Sequence, residues 1–581
     1  MLNNTSTPKP KTAYRGFIGW FASMKSTLPG YYTPLLAFSL AINLLMLVSP
    51  LYMLQVYDRV LTSGSSDTLT WLTGIALFLL VIYAAAEAGR RRICTLAAES
   101  IEDKISERVF ANFEAQQGGN SRLTDDLMVL GRVRGLFQNQ IVLPFFDLPF
   151  APFFLLVLFL IHPYIGFLGL GGAAIVFCIA ALAEFSARRT NQMASAASSE
   201  AFNIASGLSR QRSAMIAMGL GQNARGKWRN AKDVARDLNL KAGGREGGFS
   251  AVARAARQVL QILVLGGGAA LALGQEISPG AIVAGSIIMS RALAPIDQIV
   301  GSWRAVTVAR AAWDQLSELE DHEETASDFT PLPRPATNLQ ISRLSVQVPG
   351  AEAPLIRAFN LSLEGGCFIS IAGGIGTGKT TLLQTLAAAW HPSSGMVSLG
   401  GRDIHKWPSA DRGKHFGYVP QDVELMPGTI GENVARMSQS DPEQMLNAAM
   451  SAGAHEMILA QPNGYETLIG AHNETGLSAG QRQLIGISRA LFGRPVILLL
   501  DEPTANLDPE SSAGVIANLR KAADADTIVI VATHDEQLIE ATDTVLFIRD
   551  GGLLSAPSSE YLKAAKTSPT HNVTPIGARA S

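Results

Sequence analysis

Between Cys367 and Gln384 the chain reads CFISIAGGIGTGKTTLLQ. A short apolar run, Phe368 to Ala372, leads into Gly373, Gly374, Ile375, Gly376, Thr377, Gly378, Lys379, Thr380 and Thr381, and a helix-forming TLLQTLAAAW follows. This is G-x-x-x-x-G-K-T set between a strand-like and a helix-like segment, the context that a phosphate-cradling loop requires. Glycines let backbone N–H groups turn inward around phosphate oxygens, and the following helix adds the positive end of its dipole. In such a loop Lys379 reaches the β- and γ-phosphates, and the Thr380 hydroxyl ligates Mg²⁺. A bare Gly-rich turn is the plain alternative, and the partner motifs downstream argue against it.

The second anchor is PVILLLDEPTANLD. A buried strand, Val496 to Leu500, delivers Asp501 and Glu502 at its carboxyl end, where ligands bind in open α/β sheets. Asp501 is placed to hold the Mg²⁺ shell, and Glu502 to orient or polarise an attacking water. Between the anchors lie YVPQ, ending in Gln421, and LSAGQ, Leu477 to Gln481. His534 ends a third apolar run, TIVIVATH, about thirty residues after the acidic pair. That position at another strand end favours a γ-phosphate contact. The catalytic candidates are therefore Glu502, His534 and Gln421, and the Mg²⁺ candidates Thr380, Gln421 and Asp501.

Over 338–555 strands alternate with helical stretches, an α/β pattern. Residues 317–337 turn acidic and then Pro-rich (Pro331, Pro333, Pro335), a linker by composition. The stretch 556–581 is small, polar and Pro-containing, and is expected to be a disordered tail without chemistry. At 581 residues the chain exceeds one ordinary core. Hydrophobic residues make up 47% and charged ones 17%, with a mean hydropathy of +0.19. That balance implies a membrane portion joined to a soluble one. The three cysteines, Cys94, Cys178 and Cys367, are too far apart to form a metal motif or a disulfide framework. Nucleic-acid binding has no support, because no basic stretch carries interleaved aromatics.

The front of the chain supplies the membrane portion. Residues 1–32 are polar, carry Lys9, Lys11, Arg15 and Lys25, and show no cleavable signal pattern. Within 33–316, six segments approach the ~20 apolar residues needed to cross a bilayer: 33–56, 69–88, 143–163, 165–185, 256–274 and 279–300. Lys and Arg crowd one set of ends, including Arg90 to Arg92, Arg132, Arg134, Arg188, Arg189, Arg254, Arg257, Arg304 and Arg310, while the opposite turns hold only Arg59. Both termini are therefore expected in the cytoplasm. The stretches 89–142 and 186–255 read as helices continuing below the membrane, with tips near 110–122 and 214–228 that could touch the nucleotide-binding part. Asp147 is expected near the cytoplasmic entrance of the third span, and Glu184 to pair with Arg188. Arg291, deep in the sixth span, should face a wet cavity or an internal carboxylate. Gly266, Gly267 and Gly268 are expected to permit close helix packing.

Taken together, GGIGTGKT, YVPQ, LSAGQ, LLLDEPTANLD and ATH resemble the nucleotide-binding domains of ABC transporters. The resemblance covers 338–555, and six spans fused in front of it look like an ABC exporter half-transporter. The implied fold is an all-α six-helix transmembrane exporter domain followed by an α/β P-loop nucleotide-binding domain. The implied cofactors are ATP and Mg²⁺. In that family two ATPs lie between two such domains, so Ser478, Gly480 and Gln481 of one copy would face the Lys379 site of the other in a homodimer. Asp508 would sit in the loop that crosses between the sites. The signature reads LSAGQ where LSGGQ is usual, Val348 falls where a base-stacking aromatic is usual, and Ala471 or Glu474 falls where an acidic residue is usual.

In the membrane half, VSPLYMLQVYDRVLTSGSSDTL and LPFFDLPFAPFFLLVLFLIHP resemble the permease/ATPases of type I secretion that export RTX-type proteases and lipases, in the form lacking an N-terminal peptidase domain. The resemblance implies a multi-pass protein of the bacterial inner membrane, surrounded by membrane lipid, that exports an unfolded polypeptide. It also implies a periplasmic adaptor and an outer-membrane channel as partners. Export of a lipid, drug or small peptide would use the same engine, and a membrane-anchored nucleotide sensor is the reading from another class.

Overall fold

The computed structural model describes residues 29–115, 123–317, 319, 333–348, 353–438, 441–470 and 476–567. The chain divides into two compact units, the first holding the described residues up to Glu114 and between 123 and 319, the second those from 333 onward.

The first unit contains helices and turns. Its principal helices are α1 (Pro29–Leu45), α2 (Val48–Gln55), α3 (Ser66–Ala115), α4 (Leu123–Gln138), α5 (Leu143–Asp147), α6 (Ala151–Ile161), α7 (Pro163–Arg210), α8 (Gly221–Leu273), α9 (Pro279–Gly301) and α10 (Trp303–Ser317). Among the described residues six helical runs are long and apolar enough to cross a membrane: Gly30–Ser63, Ser66–Glu114, Leu143–Ile161, Pro163–Ala183, Gly221–Leu273 and Pro279–Gly301. These coincide with the six expected segments: the first, second and fifth run well past the expected bounds, while the third and fourth each end two residues earlier than expected.

Helices α3, α7 and α8 have 50, 48 and 53 residues. At 1.5 Å per residue each is roughly 72–80 Å long, against ~30 Å of hydrocarbon. More than half of each therefore extends beyond the apolar layer, as the polar composition of 89–142 and 186–255 requires. Between α7 and α8 the chain reverses through a short helix, Arg212–Ala217, slightly ahead of the expected 214–228 tip. Most of the other expected tip, 116–122, lies outside the described residues.

Two cores hold this unit together. One joins Phe154, Leu158, Ile165, Leu260, Met289 and Leu293; the other joins Ile101, Val133, Phe137, Val306 and Trp313. A Cβ on Gly267 would come within 2.9 Å of the Tyr164 ring, and one on Gly268 within 3.1 Å of Ile282, so these two glycines permit close packing. Gly266 faces open space and does not.

Arg90 is 5% exposed, and its guanidinium donates to both Asp147 carboxylate oxygens, at 2.8 and 3.0 Å, and to Glu87 at 2.7 Å. Asn43 donates to the same Asp147 at 3.0 Å, so spans one, two and three meet at one buried ion pair. Arg291 is exposed, and no carboxylate pairs with it among the described residues. Packing on an internal carboxylate is thereby corrected; the nearby Asp297 pairs with Arg257 at 2.9 Å instead. The side chains of Glu184 and Arg188 lie outside the described ones.

The second unit is α/β. An antiparallel sheet in the order β2-β1-β4-β5 comprises β1 (Asn338–Val346), β2 (Ile356–Glu364), β4 (Ser394–Leu399) and β5 (Arg402–Asp403). A six-stranded sheet runs β10-β9-β3-β8-β7-β6. Its members are β3 (Phe368–Gly373), β6 (Phe416–Val419), β7 (Ile497–Asp501), β8 (Ile528–Ala532), β9 (Thr544–Arg549) and β10 (Gly552–Pro557). All pair in parallel except β10, which runs antiparallel to β9. Strands β7 and β8 are continuous apolar runs because helices cover both faces of the sheet. Each buried Leu, Ile or Val contributes about 1.5–3 kcal/mol.

The tail expectation needs correction. Residues 556–567 complete β10 and form a helix, Ser558–Thr567. Tyr561 packs on Phe547 with ring centroids 5.9 Å apart, and the Ser558 and Thr542 hydroxyls meet at 2.9 Å. Residues 568–581 lie outside the described set.

Candidate nucleotide-hydrolysis site

Strand β3 runs into Gly373, and the next turn leads to helix α11 (Lys379–Leu386), with Gly378 at its N-cap. Gly378 has φ +99°, and a Cβ there would come 2.6 Å from Leu355, so both backbone angle and space demand glycine. Gly376, φ +79°, makes the other left-handed step. The Lys379 ammonium donates to the Gly373 and Gly374 carbonyls at 2.8 and 3.1 Å and to His534 Nε2 at 2.9 Å. Burial pushes its pKa down, with Glu502 and Asp501 opposing that shift.

Sheet register assembles the rest. Ala532 of β8 stands beside Asp501 of β7, and Val419 of β6 beside Leu500. The residues just past each strand end therefore converge: Gln421 after β6, Glu502 after β7, and Thr533 and His534 after β8. Asp501 is 2% exposed, and its Oδ2 has no hydrogen-bond partner. Burial raises its pKa; the Thr380 hydroxyl, hydrogen-bonded to it, and nearby Lys379 pull the other way. A buried carboxylate oxygen left free next to a hydroxyl is a donor set suited to a hard divalent cation.

Glu502 has φ +48°, a left-handed conformation that costs a non-glycine residue about 1–2 kcal/mol. Its N–H donates to Ala532 O at 2.9 Å, and its carbonyl accepts from Ala505 N at 3.2 Å, which hold the turn. Strain retained at a strand end beside a P-loop is the kind that functional sites keep.

The LSAGQ residues begin helix α12 (Ala479–Leu491). Ser478 is its N-cap: its Oγ accepts from Gln481 N at 3.1 Å, and Gln481 Oε1 accepts from Ser478 N at 2.9 Å. A Cβ on Gly480 would come 2.6 Å from Asn506 O, so α12 lies directly on the turn after the acidic pair. These bonds stay within the cap and that turn; none joins Ser478, Gly480 or Gln481 to the P-loop of the same chain among the described residues. Asp508 caps helix α13 (Pro509–Asp524), accepting from Ser511 N at 3.0 Å and Ser511 Oγ at 2.7 Å. Those bonds depress its pKa. Val348 is exposed just past β1, and Ala471 and Glu474 lie outside the described residues.

Three polar residues of this site escaped the sequence reading. Thr504 Oγ1 donates to Asp535 Oδ2 at 3.0 Å, and Thr533 Oγ1 to Glu502 Oε2 at 3.4 Å. The available signal was a threonine next to the histidine at a strand end.

Comparison with known proteins agrees with this geometry. The ABC transporter transmembrane region family matches residues 35–294, and the ABC transporter family matches 356–505. The type I secretion system ATP-binding protein PrsD of Rhizobium meliloti is 33% identical over 521 residues, covering 88% of this chain and 89% of that protein. The cyclolysin secretion/processing ATP-binding protein CyaB of Bordetella pertussis is 25% identical, covering 91% of this chain and 75% of that one. The solved structure of a bacterial Atm1-family ABC exporter with ATP bound superposes with a TM-score of 0.78 at 17% identity, covering 93% of this chain and 96% of that one, a likeness of fold. The chain belongs to the ABC transporter family: it is an exporter with a helical transmembrane domain followed by an ATP-binding domain that hydrolyses ATP to drive transport, and its relatives include type I secretion ATP-binding proteins.

Proposed function

We propose that two copies of this chain form a homodimer in the bacterial inner membrane and use ATP to export an unfolded polypeptide, an RTX-type substrate, by type I secretion. The carrying observation is the 33% identity to PrsD, which extends through both the membrane and the nucleotide-binding halves. The exposed cap at Ser478 supports the dimer, because its hydrogen bonds do not complete the nucleotide site of its own chain. Both termini and the ATPase domain face the cytoplasm in this reading, following the basic residues at one set of helix ends. A periplasmic adaptor and an outer-membrane channel would complete the route.

Within the nucleotide site, the P-loop N–H groups and Lys379 hold the β- and γ-phosphates. Thr380, Asp501 and Gln421 would hold Mg²⁺, which supplies charge neutralisation at the phosphate oxygens; the free Asp501 Oδ2 fits that role. Glu502 orients and polarises the attacking water, and His534 contacts the γ-phosphate. Ser478, Gly480 and Gln481 of the second copy close the site from the other side, with Asp508 at the crossing. Binding of the transition-state charge by preplaced dipoles and cations performs the catalysis, without a covalent intermediate.

Deleting the gene and comparing proteins in the culture medium tests this reading. Loss of one or a few polypeptides from the medium supports it. An unchanged medium together with a lost lipid, drug or small peptide would replace it with export of that compound.

A further inference from the structure

Strand β8 ends one residue before Thr533, and the register that sets Ala532 beside Asp501 brings Thr533 beside Glu502. Thr533 is fully buried. Its N–H donates to Ile371 O of the P-loop strand at 3.2 Å, so its backbone is pinned to β3. Its hydroxyl oxygen accepts from Asp535 N at 3.0 Å, which leaves the hydroxyl proton to point to Glu502 Oε2, 3.4 Å away. Asp535 is fixed in turn: Oδ1 accepts from Gln537 N at 3.0 Å and Oδ2 from Thr504 Oγ1 at 3.0 Å. The chain Asp535 N–H to Thr533 O–H to Glu502 carboxylate thus runs from the loop carrying His534 to the loop carrying Glu502.

We propose that Thr533 is a positioning residue for ATP hydrolysis, holding the Glu502 carboxylate by Oε2 so that Oε1 is aimed at the attacking water. The proposal rests on the assignment of Glu502 made above. A carboxylate at the end of a flexible glutamate side chain, carried by a strained φ +48° turn, has several rotamers available. A buried hydroxyl donor at one oxygen selects among them, and such bonds shorten as a catalytic complex closes. Valine has the shape of threonine without the proton; serine keeps the proton and loses a methyl.

The test measures steady-state ATPase activity, nucleotide affinity and thermal unfolding of the full-length chain in detergent or nanodiscs. Thr533→Val is expected to lower kcat roughly 10- to 100-fold, with KM changed by less than about threefold, as misplacing a reacting group does. Thr533→Ser is expected to restore most of the activity. In a Glu502→Gln background, Thr533→Val should add no further loss.

Wild-type kcat in Thr533→Val, with Glu502→Gln inactive, overturns the proposal alone. Turnover surviving in Glu502→Gln overturns the assignment of Glu502 and the proposal with it. A Thr533→Ser protein as impaired as Thr533→Val, or a loss accompanied by equal loss of nucleotide affinity and a lowered Tm, makes Thr533 a packing residue and also overturns the proposal.

Discussion

Lys379 Nζ stands 2.9 Å from His534 Nε2. The ammonium has only protons to give, so the imidazole nitrogen accepts. Two residues 155 positions apart in the chain thus meet at one point, bounded by the P-loop carbonyls on one side and the Asp501–Glu502 strand end on the other. The site is an outcome of parallel strand register, with each contributing loop leaving the same edge of the sheet.

Replacing Lys379 by alanine removes the cation proposed to grip the phosphates. Charge-assisted hydrogen bonds contribute about 1.5–3 kcal/mol each, so ATP affinity should fall roughly 10- to 100-fold or more. Equilibrium binding of a fluorescent ATP analogue measures this, and unchanged affinity would remove Lys379 from the site.

Glu502→Gln keeps the size of the side chain and removes its basicity. General-base catalysis contributes about 10²–10⁴-fold, so turnover should drop by that order while ATP still binds. A phosphate-release assay beside a binding titration separates the two effects.

Burial raises the Asp501 pKa above the ordinary aspartate value, and the same burial lowers that of Lys379, so both charged forms are disfavoured at this strand end. An aspartate whose folded pKa lies above its unfolded one loses stability as pH rises from the unfolded value through the folded value. The buried charge is therefore a cost that grows as pH rises past the ordinary aspartate range. Asp501→Asn, neutral at every pH, should therefore raise the Tm of the protein at pH 7 while abolishing ATP turnover. A lowered Tm at pH 7 would show that the ionised carboxylate is stabilising.

The Arg90–Asp147 pair predicts a different pattern in the membrane domain. Removing one partner strands a buried charge, at a cost of about 3–5 kcal/mol. Arg90→Ala should lower the Tm markedly, and adding Asp147→Ala should recover part of the loss. A double variant less stable than the sum of the single effects would contradict the pairing.

Motifs that act locally were readable from residue order. The Gly378 requirement, the Asp501–Glu502 strand end and the six apolar spans all follow from types and spacing within a short window. Partnerships across long separations were not. Asp147 was expected at the entrance of the third span, but nothing in its neighbourhood names Arg90, 57 residues earlier, as its partner. Asp58 likewise sits in a motif picked out for its resemblance, yet its contacts with the Gly280 N–H at 2.9 Å and the Ser278 hydroxyl at 2.5 Å depend on tertiary packing. The helix at Ser558–Thr567 was missed for the same reason. Its polar composition reads as tail, and its order comes from Tyr561 and Ser558 docking on elements earlier in the chain.

The most direct test compares the culture medium of a strain whose only copy carries Glu502→Gln with that of the wild type, at equal membrane levels of the transporter. A specific polypeptide should disappear from the medium of the variant strain and accumulate inside the cell. Identical secreted proteins from the two strains, with ATPase activity abolished in the variant, would contradict ATP-driven polypeptide export by this chain.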